Sequence, residues 1–359
     1  HLLILLIFLS GLYFYKFIDT HHQEKHNYIY WYLSVLAFSL ACLAKYNAIF
    51  FGASVFIFLI IKKDFRKILL SGHFFLALLI FFLVQSPVIF WNIQNDYASL
   101  NFNLNSRLDF SYSWDVFLKN LVTFIFAVIF AVSPILFFNI LNIKKIMASK
   151  SLNKNFVNFC YIVFFVTFGF CFILSAYTSV LYYWSTVAFI LFSPFLSSII
   201  TRRVDILLHS LFGVLTMVFL LINSTLYPLA SFWGRVDRET AILYGWKNIT
   251  SIIYDIGVEQ KLNKVVFTDY RLASLYSFHS ENYNTDAIME KRDTQFDIWR
   301  KNKKYKTEKS LIIADENFPI HNKIYESYSE IKFVRFINIF IDDKKIKTYH
   351  VYIGKPKIF

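Results

Sequence analysis

In residues 1–227 apolar residues come in long unbroken runs rather than in an alternating or amphipathic pattern. A helix needs about 20 such residues to cross the hydrocarbon core of a bilayer. Eight runs qualify as candidates: 2–18, 29–44, 46–61, 68–91, 116–141, 156–176, 183–200 and 204–227. The second and third are nearly fused, and only Lys45 divides them. The pattern predicts a polytopic α-helical membrane protein with about eight transmembrane helices, residues 1–227 forming the membrane domain.

Beyond residue 228 no stretch is long and apolar enough to span, and the periodicity becomes that of a small α/β domain, residues 228–359. Ile242–Val258 reads as a helix. Lys264–Asp269 and Ser310–Asp315 read as short buried strands, each ending in Asp. Arg271–Phe278 and Asn322–Ser329 read as helices. Ile331–Ile341 and Lys345–Ile353 read as a closing hairpin with Asp342 and Asp343 in its turn.

Composition agrees with the pattern. The 359 residues are 57% hydrophobic and 17% charged, with a mean hydropathy of +0.47. Soluble domains are about 45–50% apolar and about 25% charged. A disordered chain, a collagen-like chain and a disulfide-stapled secreted domain are excluded. Cys42, Cys160 and Cys171 lie inside apolar runs, without CxxC or Cys/His metal spacing.

The net charge is +13, and its distribution orients the chain. With residue 1 outside, the inner loops collect twelve Lys and Arg: Lys16, Lys25, Lys62, Lys63, Arg66, Lys67, Lys144, Lys145, Lys150, Lys154, Arg202 and Arg203. The outer loops hold three: Lys45, Arg107 and Lys119. Basic residues concentrate on the cytoplasmic side, so eight crossings put the α/β domain outside the cytoplasm. The basic charge needs no nucleic-acid partner. The chain begins at His1 and enters an apolar helix with no basic leader and no small-residue cleavage site, so it reads as a fragment rather than a signal peptide.

The residues that could carry chemistry gather at the predicted outer face. Lys45, in Leu43-Ala44-Lys45-Tyr46-Asn47, lies between two apolar runs. A cation at membrane depth is costly, which marks it as functional, and it could hold a lipid-carrier phosphate as a point charge. A snorkelling lysine that ends a helix reads equally well. Trp91, Asn92, Asp96, Ser99 and Arg107 follow Pro87 into an outer loop longer than a simple connector needs. Asn92 and Asp96 would share a face if the helix continued. Tyr177, Tyr182, Tyr183 and Trp184 read as interfacial anchors. In the α/β domain Tyr244-Gly245-Trp246, Thr268–Ala273 and Lys291–Trp299 stand out. The chain has no Gly-rich phosphate loop, no HExxH and no Gly-x-Ser-x-Gly elbow. His21, His22 and His26 share one inner loop without forming a convincing metal motif.

Four of these segments together resemble a family. The chain is similar to bacterial membrane glycosyltransferases of the GT-C class, glycosyltransferase family 39, in the group of aminoarabinose transferases and protein O-mannosyltransferases. Leu43–Ala48 is similar to a Leu-Ser-Lys-Tyr-Thr-Ala type segment. Pro87 to Asp96 with Ser99 is similar to a Pro-x-x-x-Trp-Asn-x-x-x-Asp-x-x-Ser loop. Gly245-Trp246 opens the outer domain in the family manner. Arg292-x-x-Gln295-x-Asp297-x-Trp299 is similar to a late Arg-x-x-Gln-Tyr-Asp-x-Trp pattern. Two departures are Ala44 in place of Ser and Tyr182-Tyr183-Trp184 in place of a Trp-Pro-Ala-like run.

The resemblance implies an inverting transfer of a sugar from a polyprenyl-phosphate donor to a lipid, glycan or protein acceptor at the outer face of a bacterial inner membrane. It implies a catalytic Asp upstream of residue 1, with Asp96 as the fallback. It places Lys45 and Tyr46 at the lipid phosphate, and Trp91, Asn92, Asp96 and Arg107 around the outer cavity. Arg292, Gln295 and Asp297 would lie near the cavity mouth. No cofactor is implied, and a divalent metal is left open. Membrane lipids are the expected surroundings. The competing readings are a lipid-linked sugar flippase or transporter, and a glycan polymerase or ligase.

Overall fold

A computed structural model describes residues 2–22, 27–102, 113–142, 153–233, 238–290, 293–302, 308–341 and 343–357. The chain divides into two compact units, His1–Gly213 and Val214–Phe359.

The first unit is helical throughout. Its main helices are α1 (Leu2–His22), α2 (Tyr28–Ala44), α3 (Ile49–Ile61), α4 (Gly72–Gln94), α5 (Trp114–Val132), α6 (Pro134–Leu141) and α7 (Lys154–Leu174), and α8 (Arg203–Leu221) runs from it into the second unit. Every apolar run is helical, but not every run is one span. Among the described residues five helices are long and apolar enough to cross a membrane, or six if the bent pair Tyr182–Ile190 and Ser193–Ile199, 56° apart, is one span. The run at 116–141 is broken because Ser133 turns to φ 84° and Pro134 opens a new helix. The stretches Tyr28–Ala44 and Tyr46–Ile61 stay separate and short. The protein is thus a multi-pass helical membrane protein with a C-terminal sheet domain, and helix length alone supports five or six spans.

Aromatic packing forms the core of this unit. Phe14 of α1 lies 5.6 Å from Phe58 of α3 and 4.5 Å from Phe159 of α7, ring centre to ring centre, and all three rings are buried. Such pairs add about 0.5–1.5 kcal/mol beyond burial. Polar side chains stitch neighbouring helices. Ser10 donates to the Ser34 carbonyl at 2.8 Å, Ser34 returns a bond to the Ser10 carbonyl at 2.9 Å, and Gln85 reaches the Ser39 carbonyl at 2.7 Å. In lipid these bonds satisfy groups that no solvent would reach. No residue of α8 is buried.

The second unit is built on a five-stranded sheet in the order β2-β1-β3-β5-β4. Its strands are β1 (Val265–Phe267), β2 (Thr285–Ala287), β3 (Ser310–Asp315), β4 (Tyr328–Ile341) and β5 (Lys344–Pro356). β1 runs parallel to β2 and β3, and β5 runs antiparallel to β3 and β4. The helices are α9 (Trp246–Gln260), α10 (Tyr270–Ser280), α11 (Gln295–Asn302) and α12 (Asn322–Ser327). Ile249, Ile253 and Ile256 form one buried stripe on α9, packed with Phe267, Leu311, Ile337 and Tyr349 of the sheet. The α/β expectation holds in outline. The helix at Ile242–Val258 starts later than expected, at Trp246, because Gly245 takes a left-handed φ of 80° that no continuing helix allows. β2 is a strand the periodicity does not announce.

Candidate functional site

The break at Lys45 has a simple backbone origin. Lys45 is extended (φ −165°, ψ 135°), and its N–H closes the last turn of α2 on the Ala41 carbonyl at 2.9 Å. The chain then makes a single 3₁₀ turn, Tyr46–Ala48, before α3 begins. Three consecutive side chains are presented at this interruption, and each has a distant partner. The Lys45 ammonium lies 3.9 Å from the centre of the Tyr183 ring. The Tyr46 hydroxyl is 3.0 Å from the Ser99 hydroxyl. The Asn47 amide donates to the Trp184 carbonyl at 3.2 Å. The lysine break, the turn after α4 and the aromatic triplet Tyr182-Tyr183-Trp184 therefore meet.

Helix α4 supplies the second wall. Trp91 is partly exposed near its C-terminal end. Asn92 is buried, and its amide bonds back to the Val88 carbonyl at 2.9 Å. The Asn92 Oδ1 finds no hydrogen-bond partner among the described residues. A buried amide oxygen without a partner costs about 1–3 kcal/mol, a cost that a bound donor group would remove.

The expected shared face of Asn92 and Asp96 does not form. Helix α4 ends at Gln94, and Asp96 and Tyr97 both take left-handed backbone, with φ of 52° and 56°. The Asn92 carbonyl accepts the Tyr97 N–H at 2.7 Å and closes this reversal. Asp96 thus stands exposed on the turn while Asn92 points inward. Two adjacent left-handed residues other than glycine cost of order 1–3 kcal/mol each. The turn carries the chain back so that Ser99 reaches Tyr46. Arg107 lies outside the described residues.

An apolar cavity of about 220 Å³ opens beside this region, between α2, α3 and α4. Trp31, Phe38, Ile49, Phe74 and Phe81 are among its walls. Ile49, at the start of α3, is its wall residue nearest in sequence to the break, and its α4 walls lie in the half of that helix away from Asn92.

In the second unit Gln295 is exposed in the first turn of α11. Asp297 is committed locally. One carboxylate oxygen accepts the Thr294 N–H and hydroxyl at 2.7 and 2.8 Å, and the other accepts Arg300 Nη1 at 3.0 Å. Arg300 also grips Asp286 of β2 with two bonds, at 2.8 and 2.9 Å, and the Ala287 carbonyl at 2.6 Å. Burial works to lower the Arg300 value, and Asp286 and Asp297 together hold it above the ordinary arginine range. Arg292 lies outside the described residues.

The two strand-ending acids are also occupied. Asp269 caps α10 through the Arg271 N–H at 2.7 Å and pairs with its guanidinium at 3.1 Å. Asp315 accepts the Asn317 and Phe318 N–H groups at 2.9 and 2.6 Å and faces the buried Lys347 ammonium at 2.9 Å. Among the described residues no three His, Cys, Asp or Glu side chains converge to hold a metal. His26 lies outside them.

Tyr183, Trp184 and Asn47 were not expected at the lysine. The triplet Tyr182-Tyr183-Trp184 reads as an interfacial anchor in the sequence, and no local spacing announces its contacts with Lys45 and Asn47.

Residues 1–91 match the family model described as dolichyl-phosphate-mannose-protein mannosyltransferase. The match contains Lys45, Tyr46 and Trp91, and residues 92–359 lie outside it. No curated protein and no solved structure matches the chain. The resemblance to mannosyltransferase-type membrane glycosyltransferases is thus supported for the segment that carries the lysine break, but not for the later loops.

Proposed function

We propose that this protein transfers a sugar, with inversion, from a polyprenyl-phosphate donor to a lipid, glycan or protein hydroxyl at the outer face of a bacterial inner membrane. One observation carries the reading: a lysine held in a helix break between two apolar segments, inside the stretch that matches the mannosyltransferase family. The acceptor oxygen attacks the anomeric carbon, the bond from that carbon to the phosphate oxygen breaks, and the donor leaves as polyprenyl phosphate. Lys45 neutralises charge growing on the leaving phosphate, a task a fixed cation performs without a proton transfer. Asn92, through its open Oδ1, takes a hydroxyl of the sugar. Tyr46 and Trp91 flank the pocket, and the acceptor proton passes to a general base, for which Asp96 is the fallback. Arg107 is proposed at the outer cavity, and Arg292, Gln295 and Asp297 are proposed as substrate-binding residues of the C-terminal unit. The basic residues of the inner loops favour eight crossings, with the short helices α2 and α3 crossing separately and the α/β unit outside.

The test is transfer of label from a radiolabelled polyprenyl-phosphate sugar in membranes holding the full-length protein, wild type against Lys45→Ala. Lysine-dependent transfer supports enzyme and site together. Transfer that ignores Lys45 keeps the enzyme and removes the site. The bent helix pair at Tyr182–Ile199 favours one second reading, a lipid-linked sugar flippase, since broken helices mark transport paths. Label that changes leaflet without transfer would select it.

A further inference from the structure

The second unit includes the end of the last long helix, and this fixes which part of its sheet lies near the membrane boundary. Helix α8 continues as a π turn, Ile222–Leu226. From that turn the Asn223 side chain donates to the Thr240 hydroxyl at 3.0 Å and accepts the Leu229 N–H at 2.9 Å, and the Asn223 backbone carbonyl accepts the Tyr244 hydroxyl at 2.8 Å. Gly245, next in the chain, lies against Ile339 of β4, where a Cβ would come within 2.7 Å of the Ile339 side chain. A second route reaches the same place. The Phe232 ring folds back to 4.8 Å from that of Tyr227, the residue directly after the helix, and the Lys344 ammonium stands 5.3 Å from the Phe232 ring. Both routes tie the turn end of the β4–β5 hairpin to the terminus of a membrane helix.

The surface at that end suits lipid better than water. Phe232, Trp233 and Phe340 are 61%, 76% and 57% exposed, and Lys344 and Lys345 are exposed beside them. Phe340 pairs with Lys345, and Ile341 with Lys344, in the hairpin register. Exposed rings mixed with lysines are the composition of a membrane interface, where aromatic rings sit at headgroup level and lysine stems lie along apolar surface. A headgroup layer is about 5–8 Å thick on each side of the hydrocarbon core, a depth comparable with the two ring contacts that separate Lys344 from Tyr227. Asp343 shares the turn, so the rings rather than net charge supply the attraction.

We propose that the turn end of the β4–β5 hairpin, with Phe232 and Trp233, is a footing that beds the C-terminal unit in the phospholipid headgroup layer where helix α8 ends. The proposal depends on α8 being a membrane span and is independent of the transferase reading.

The experiment places a fluorophore on the full-length protein at Phe340→Cys and, separately, at Lys345→Cys, which leaves Phe340 intact. The native Cys42, Cys160 and Cys171 are buried, so the new thiols react first. Tyr283→Cys is the reference. Tyr283 is 85% exposed and adjoins the row Thr285, Val265, Leu311, Ile353. That row lies nine residues along β5 from Lys344, about 30 Å at 3.3 Å per residue. In phosphatidylcholine vesicles carrying headgroup nitroxide lipid, quenching at 340 and 345 should exceed that at 283 by about twofold or more. Equal quenching at all three positions overturns the proposal. So does shielding of 340 and 345 from both the lipid nitroxide and aqueous iodide, which would place the hairpin end against protein.

Discussion

The Lys45 ammonium stands 3.9 Å from the centre of the Tyr183 ring, joining a helix break to a segment far along the chain. The ring face attracts the cation and fixes its direction, and with Tyr183 partly exposed such a contact is worth about 0.5–1 kcal/mol. Tyr183→Phe keeps the ring and should leave donor KM within about twofold, because the face and not the hydroxyl makes the contact. Tyr183→Leu should raise donor KM roughly fivefold, the equivalent of about 1 kcal/mol. Transfer assays with varied polyprenyl-phosphate sugar read both values. An unchanged KM in the leucine variant would remove Tyr183 from the site.

Asp96 separates two roles by magnitude. It stands exposed on a left-handed turn, and the role implied by the resemblance makes it the fallback for a base supplied from elsewhere. Asp96→Asn keeps the turn, since asparagine tolerates left-handed backbone. Transfer should then fall by no more than about tenfold, whereas a general base contributes about 10²–10⁴-fold. A loss in that higher range would move the base assignment to Asp96.

Much of this arrangement was legible in the residues, and the remainder depends on contacts between distant segments. β3 occupies Ser310–Asp315, as its buried apolar run indicates, and β4 and β5 form the expected closing hairpin, with Asp343 between them and Asp342 outside the described residues. β2 was not legible, because Thr285-Asp286-Ala287 has no apolar period. It is a strand through pairing with β1 and through the Arg300 clamp on Asp286. The break at Lys45 is visible as a local signal, but the positive φ of Ser133 that divides the run read as one span at 116–141 is not. At the site, Lys45, Trp91, Asn92 and Asp96 could be picked out by residue type and position. The partnership with Tyr183 and Trp184 could not, since only the packed bundle brings those segments together.

Arg300 is expected to be the main tie between α11 and β2. Its planar fork serves Asp286 and Asp297 at once, a geometry lysine cannot copy. Arg300→Leu leaves Asp286, itself buried, without its cation. A fully buried pair broken this way costs about 3–5 kcal/mol. Arg300 is partly exposed, so solvent screening reduces the expected loss to about 1–3 kcal/mol. Arg300→Lys should recover less than half of it. Limited proteolysis between α11 and β3 measures the difference. Full rescue by lysine would show that charge alone matters.

Tyr349 gives the C-terminal unit an alkaline limit. Its ring is fully buried, and its hydroxyl has no hydrogen-bond partner among the described residues. Burial first, and the Asp315 carboxylate second, push its phenol well above the ordinary value. Tyr276 and Tyr328 are also raised, chiefly by burial. A phenol raised in the folded state keeps its proton where the unfolded chain has lost it. The contribution is therefore intact below the unfolded value of about 10 and is lost as pH rises from there toward the folded values. Thermal unfolding of the reconstituted protein should show a midpoint that is flat up to that pH and falls above it. Tyr349→Phe should make the fall shallower. At neutral pH the same substitution should leave the midpoint unchanged or raise it, because it removes a buried hydroxyl whose unmet hydrogen bond costs about 1–3 kcal/mol. A midpoint lowered at neutral pH would mean that the hydroxyl has a hydrogen-bond partner.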